Sequence, residues 1–129
     1  KRLMRVEQLM SGGADAPIVG LTTPMKDLIY EMSRKGLGMS CVVDDQGVLA
    51  GIVTDGDLRR HMSAAPDLMD RMAGDVMTRH PVTIPPETLA VEALNVLEQR
   101  KITAIVVVDA DRRVRGVVHL HDLWRTELI

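Results

Sequence analysis

The sequence is short of aromatic rings. Tyr30 and Trp124 are the only two, phenylalanine is absent, and aromatics make up 2% of 129 residues. A protein that binds single strands of nucleic acid wants several rings on which bases can stack, so that class is disfavoured. Charge of one sign is also lacking: the formal net charge is −2, which gives no strong pull toward nucleic acid or anionic lipid. No uninterrupted run of about 18 apolar residues occurs, so no membrane span is expected. Cysteine is nearly missing. Cys41 stands alone, which excludes an internal disulfide and makes a reducing, cytoplasmic setting the simpler expectation. It lies inside the apolar stretch "SCVVD" and reads as a buried, inert thiol rather than a reactive one.

What is present is aliphatic. Apolar residues account for 46% of the chain and nine methionines supply flexible gap-fillers, so a packed core is available without aromatic rings. The opening "KRLMRVEQLM" has no initiator methionine and no helix cap, and it reads as the middle of a longer chain.

Displacing the sequence against itself by 65 residues brings its halves into register. Thr23, Val42, Val43 and Asp44 fall on Thr88, Val107, Val108 and Asp109. "GIVTDGDLRR" (51–60) falls on "GVVHLHDLWR" (116–125), and a two-residue adjustment upstream places Met10 on Met77. Each copy has roughly 60 residues, close to the lower limit for burying enough surface alone, so two mutually packed copies are the expected solution. The division falls at 1–65 (with a linker at 1–5) and 66–129.

Both copies share one grammar. A short β-prone stretch (Pro17 to Val19; Val82 to Ile84) precedes a helix. Thr23 is the expected N-cap of the first helix, with Pro24 at its first position, and Thr88 is the expected cap of the second. Met25, Leu28, Ile29 and Met32 form one helical stripe, repeated by Ala90, Ala93, Leu94 and Leu97. Gly36 suits a left-handed stop, and Arg100-Lys101 suits the negative helix end. Two strands joined by "DDQG" or "DADRR" follow, then a further helix near Asp55 or His121. "VEQLM" and "AGDVM" each read as a short helix introducing a repeat. The order β-α-β-β-α, twice, makes this an α/β (α+β) chain.

The chemistry-bearing residues cluster at the two strand-to-helix junctions. Thr54 ends a strand, and Asp55 and Asp57 open the helix after it. Crevices at strand carboxyl ends commonly hold ligands, and free backbone N–H groups there attract anions. Two carboxylates would repel a phosphate, so Asp57 suits a sugar diol, while the Thr54 hydroxyl suits phosphate or sugar oxygens. The plainer alternative is that Asp55 and Asp57 cap the helix and complement its dipole. In the second copy His119 replaces Thr54, His121 replaces Gly56, and Asp122 retains the place of Asp57. Two imidazoles and a carboxylate could hold a divalent metal such as zinc, but nothing else in the sequence completes a site. A hydrogen bond to phosphate or carboxylate, or a helix cap, fits His119 and His121 better. No nucleophile–base–orienter set, phosphate loop or nucleophile elbow is present, so no catalytic residue is assigned.

Two such copies, each with Gly-hydrophobic-x-(Thr/Ser)-x-x-Asp at the last junction, resemble a tandem pair of cystathionine β-synthase (CBS) domains, a Bateman module. The resemblance implies two domains packed about a pseudo-two-fold axis and clefts that often bind nucleotides. It gives Asp57 the ribose hydroxyls and Thr54 ribose or phosphate; Asp122 inherits the first role, and His119 departs from the pattern. "LGMSCVVDDQGVLAGIVTDGDLRR", "LAVEALNVLEQRKITAIVVVD" and "GVVHLHDLWR" are further similar to the C-terminal half of bacterial arabinose-5-phosphate isomerases. That likeness implies a regulatory pair following an N-terminal sugar isomerase domain, with no isomerase active site in these residues. It further implies an effector such as CMP-Kdo, AMP or ATP, a role in lipopolysaccharide synthesis, and assembly as a homodimer. The competing expectations are an oligomerisation element with vestigial clefts, or the metal site at "HLHD".

Overall fold

The structure is a computed structural model that describes residues 4–64 and 66–125. Contacts divide the chain into two compact units. One is Pro17–Pro81; the other joins the chain through Ala16 to everything from Val82 onward. The 1–65 and 66–129 division follows the sequence repeat, whereas compactness assigns the segment leading into each repeat to the other repeat's unit.

In the Pro17–Pro81 unit, β2 (Ile18–Gly20) runs parallel to β3 (Met39–Val43), and β3 pairs antiparallel with β4 (Leu49–Thr54). A two-residue strand, β5 (Thr78–Arg79), closes the sheet in the order β2-β3-β4-β5. Helices α1 (Met25–Lys35), α2 (Asp55–Ala64) and α3 (Ala73–Val76) complete the unit. Met25, Leu28 and Met32 of α1 pack with Val42, Val53, Leu68, Ala73 and Val76. The predicted stripe therefore faces the core, with Ile29 at its margin. Gly36 ends α1 at φ 70°, a conformation glycine adopts without a Cβ penalty.

The other unit repeats this plan. β6 (Thr83–Ile84) runs parallel to β7 (Ala104–Val108), which pairs antiparallel with β8 (Val114–His119). Here β1 (Ser11–Gly12) is the edge strand, giving the order β1-β8-β7-β6. α4 (Ala90–Arg100) buries Ala90, Ala93, Leu94 and Leu97 against Ile105, Val107, Val118, Leu123 and Val6. α5 (Leu120–Trp124) follows β8. The agreement extends to irregularities. Both hairpins shift register at the same place, Val42/Val43 and Val107/Val108. Asp44 Oδ1 accepts the Gln46 and Val48 N–H groups, as Asp109 Oδ1 accepts those of Asp111 and Arg113.

The two threonine caps are corrected by the structure. Pro24 and Leu89, rather than Thr23 and Thr88, occupy the N-cap positions. The Thr23 hydroxyl accepts the Gly20 N–H at 2.9 Å. The Thr23 carbonyl accepts Ala73 N–H, and the Thr88 carbonyl accepts Val6 N–H, each at 2.8 Å. Both threonines thus receive the short helical turn that precedes the other repeat: α3 in one unit, the 3₁₀ turn Val6–Gln8 in the other. Leu89 N–H finds its acceptor in Glu92 Oε1 at 3.0 Å, one half of the reciprocal pairing typical of helix starts.

The same exchange explains the glycine that opens both decapeptides. A Cβ on Gly51 would lie 2.6 Å from the Thr78 carbonyl oxygen and 2.8 Å from Met77 Sδ. On Gly116 it would lie 2.7 Å from the Ser11 carbonyl oxygen and 2.8 Å from Met10 Sδ. The edge strand and its methionine sit where any larger residue would project. Gly51→Ala and Gly116→Ala should each destabilise the protein by about 1–3 kcal/mol, the usual cost of overpacking. Urea denaturation reads the loss, and an unchanged midpoint in either variant contradicts the close approach.

Cys41 is fully buried on β3, and burial pushes its thiol up to about 12 from an ordinary 9.0. A pKa raised on folding contributes stability below about pH 9 that is lost as pH rises toward 12. Native protein at pH 8 should resist a disulfide reagent that labels the denatured chain at once; rapid native labelling would contradict the burial.

Candidate functional site

The first decapeptide folds as a reciprocal cap. Thr54 N–H donates to Asp57 Oδ2 at 3.0 Å, and Asp57 N–H donates to Thr54 Oγ1 at 3.1 Å. The three-residue spacing sets this pairing, because a residue just before a helix and one in its first turn can satisfy each other's backbone donors. The Asp57 side chain is only 6% exposed, and its other oxygen is also engaged. Oδ1 accepts the Arg60 guanidinium, one helical turn on, and the Thr78 hydroxyl of β5 at 3.3 Å. Asp57 therefore serves the cap that the plainer sequence reading assigned to it, and holds a surface arginine besides.

The second decapeptide reproduces the frame with different chemistry. His119 N–H donates to Asp122 Oδ2 at 2.8 Å, and Arg125 Nη2 donates to Asp122 Oδ1 at 2.5 Å. The His119 side chain takes over from the Thr54 hydroxyl as the capping acceptor: its Nδ1 accepts the His121 N–H at 3.1 Å. An accepting Nδ1 leaves the ring proton of a neutral imidazole on Nε2. Burial holds the His119 pKa below 6.5, reinforced by His121 and opposed by Asp122. At neutral pH His119 is therefore an uncharged hydrogen-bond donor through Nε2, suited to an oxygen acceptor but not to ion pairing. The rings of His119 and His121 lie 4.7 Å apart and those of His121 and Trp124 lie 5.1 Å apart, a row of three on α5 and its cap.

The metal alternative draws no support from the geometry here. Asp122 spends its oxygens on a backbone N–H and Arg125, and His119 Nδ1 on the His121 N–H. Among the described residues no group of three His, Cys, Asp or Glu side chains is arranged to hold a metal ion.

Asp55 separates from its neighbours. It lines a cleft of about 270 Å³ with Met32, Ser33, Gly36, Gly38 and Leu58, of which neither Thr54 nor Asp57 is part. Sequence reasoning thus grouped Asp55 with Thr54 and Asp57 by adjacency alone. It also missed three side chains at the capping carboxylates. Arg60 and Arg125 were visible as the repeated Asp-Leu-x-Arg, but Thr78 gave no signal, being 21 residues from Asp57.

A family model for the CBS domain matches residues 6–64 and 73–123. Arabinose 5-phosphate isomerase KdsD of Yersinia pestis is 42% identical over 129 residues, which is 100% of this chain and 39% of that protein. KdsD of Pseudomonas aeruginosa is 48% identical over 123 residues, 95% of this chain and 38% of that protein. The chain thus spans about two-fifths of the length of these relatives. Among solved structures, CBSX2 in complex with AMP superposes with a TM-score of 0.83 at 26% identity, covering 96% of each chain. The CBS domain pair of MJ0100 from a complex with 5-methylthioadenosine and S-adenosyl-L-methionine gives a TM-score of 0.81 at 22% identity, covering 97% of this chain and 96% of that one. Two matched segments, two sheets of one topology and a capping Asp repeated in each lead to one conclusion: the chain belongs to the CBS domain family, as a tandem pair.

Proposed function

We propose that this CBS pair is the regulatory, ligand-binding part of an arabinose-5-phosphate isomerase-like protein. In this reading isomerisation belongs to an N-terminal sugar isomerase domain outside these residues, and the pair senses a nucleotide or nucleotide-sugar in the cytoplasm. The observation that carries the proposal is the 42% identity to KdsD along the whole chain. The AMP complex of CBSX2, at 26% identity, supports a nucleotide as the class of ligand.

The geometry allows this despite the engagement of Asp57. Arg60 is 72% exposed, so its guanidinium returns to water when a ribose diol takes its place at Oδ1. Oδ2 meanwhile keeps the Thr54 N–H, and the helix stays capped. The junction at Asp122 offers the same carboxylate beside a neutral imidazole donor, which fits a carboxylate or phosphate oxygen better than the Thr54 hydroxyl does. CMP-Kdo, AMP and ATP each carry the ribose diol that the first junction suits. Binding regulates only if the ligand favours one arrangement of the protein over another.

A second reading, assembly of pairs into homodimers, draws on exposed apolar residues of the first repeat's helices, Tyr30 on α1 and Met62 on α2. Sedimentation at micromolar concentration should show a dimer that Asp57→Asn leaves intact, and a monomer would end that reading. For the ligand, titration calorimetry with CMP-Kdo, AMP, ATP and CMP should give saturable heat with at least one. Asp57→Asn, which keeps an acceptor for the cap, should weaken binding about ten- to a hundredfold, the usual range for a charged hydrogen bond. Asp122→Asn should weaken an adenine nucleotide less. No heat from any of the four at millimolar concentration overturns the ligand-sensing proposal.

A further inference from the structure

We propose that Thr78 is a latch on the first junction, competing with a bound ligand for Asp57 Oδ1. The inference rests on the nucleotide reading above and adds a residue and a direction of effect. Thr78 opens β5, whose register places Thr78 opposite Ile52 and Arg79 opposite Gly51 of β4. Two residues beyond Ile52 lies Thr54, where the cap with Asp57 begins, and the Thr78 hydroxyl sits 3.3 Å from Asp57 Oδ1. The acceptor is buried while Thr78 itself is exposed, so the hydroxyl approaches the carboxylate from the solvent side. That is the oxygen a sugar diol would use, since Oδ2 is committed to the helix cap.

Among the described residues the latch is present in one unit only. Ser11 of β1 holds the place of Thr78, opposite Val117 of β8, yet Asp122 accepts only His119 N–H and Arg125 among the described residues. The two junctions thus differ in more than the Thr-to-His exchange: one carboxylate is tied to its edge strand and the other is not. β5 is also the last strand before the chain leaves its unit at Pro81. A ligand that takes Oδ1 frees Thr78, and so removes a hydrogen bond that fastens this strand to α2.

A competitor and a supporting residue make opposite predictions. Removing a competing hydrogen bond strengthens ligand binding, whereas removing a supporting one weakens it. Thr78→Val keeps the branched shape and deletes the hydroxyl. By calorimetry with AMP, ATP and CMP, it should bind the nucleotide that the native protein binds several-fold and up to about tenfold more tightly, matching a net hydrogen bond of about 1 kcal/mol. Thr78→Ser should restore native affinity. A native or weakened affinity in Thr78→Val overturns the latch. A ligand-free measurement separates this from failure of the nucleotide reading. In a double-mutant cycle of Asp57→Ala and Thr78→Val, read by urea denaturation, the two effects should be non-additive. Additivity overturns the latch whatever binds. Coupling without nucleotide binding to the native protein or to Thr78→Val leaves a structural contact but overturns both the competition and the nucleotide reading.

Discussion

The architecture depends on the approach of a strand backbone to a glycine. At Gly51 and again at Gly116, the carbonyl of an edge strand and the sulfur of the methionine before it fill the space a side chain would take. This contact joins each repeat to the segment that introduces the other. Without it β4 and β8 would be sheet edges with unpaired backbone groups, a state folded proteins avoid by covering the edge. The exchanged segments also bring apolar side chains: Leu68, Ala73 and Val76 enter one core and Val6 the other. A repeat of this size gains the extra burial it needs from residues that precede its partner.

The candidate site grows from a structural device. A carboxylate three residues after a strand end caps a helix, and this duty explains the position of Asp57 and Asp122 without any ligand. What the cap leaves over is one oxygen on each aspartate, turned toward exposed arginine rather than toward the core. The cap and the arginine thus use different atoms of one side chain, so the capping duty does not by itself exclude the ligand reading of the motif. The same division explains why threonine can give way to histidine: either side chain supplies the acceptor the helix needs, through Oγ1 or Nδ1. The exchange alters the chemistry of the junction while preserving the cap.

Much of this was legible in the sequence. The repeat, the helical stripes, the Gly36 stop and the four long strands follow from periodicity and turn chemistry, which are local signals. The threonine caps were misread because a tertiary acceptor outcompeted a local one: the carbonyls of Thr23 and Thr88 receive distant turns. β1 and β5 were missed because two residues have no period. Ser-Gly and Thr-Arg are not strand-like, and Ser11 finds its partner at Val117. Thr78 was invisible for the same reason, since only the unread strand brings it to Asp57. The glycines were noticed as part of a motif, but their cause lay in chain segments far from them.

The exchange of leading segments bears on how such a chain could arise. A single repeat with its own leader would carry one strand too many for itself and one edge left open, fitted to a second copy of the same half. Two identical halves could trade leaders and complete both sheets as separate molecules. Joining them end to end would change nothing in either sheet. It would, however, free the two junctions to diverge, one keeping a hydroxyl and the other acquiring imidazole.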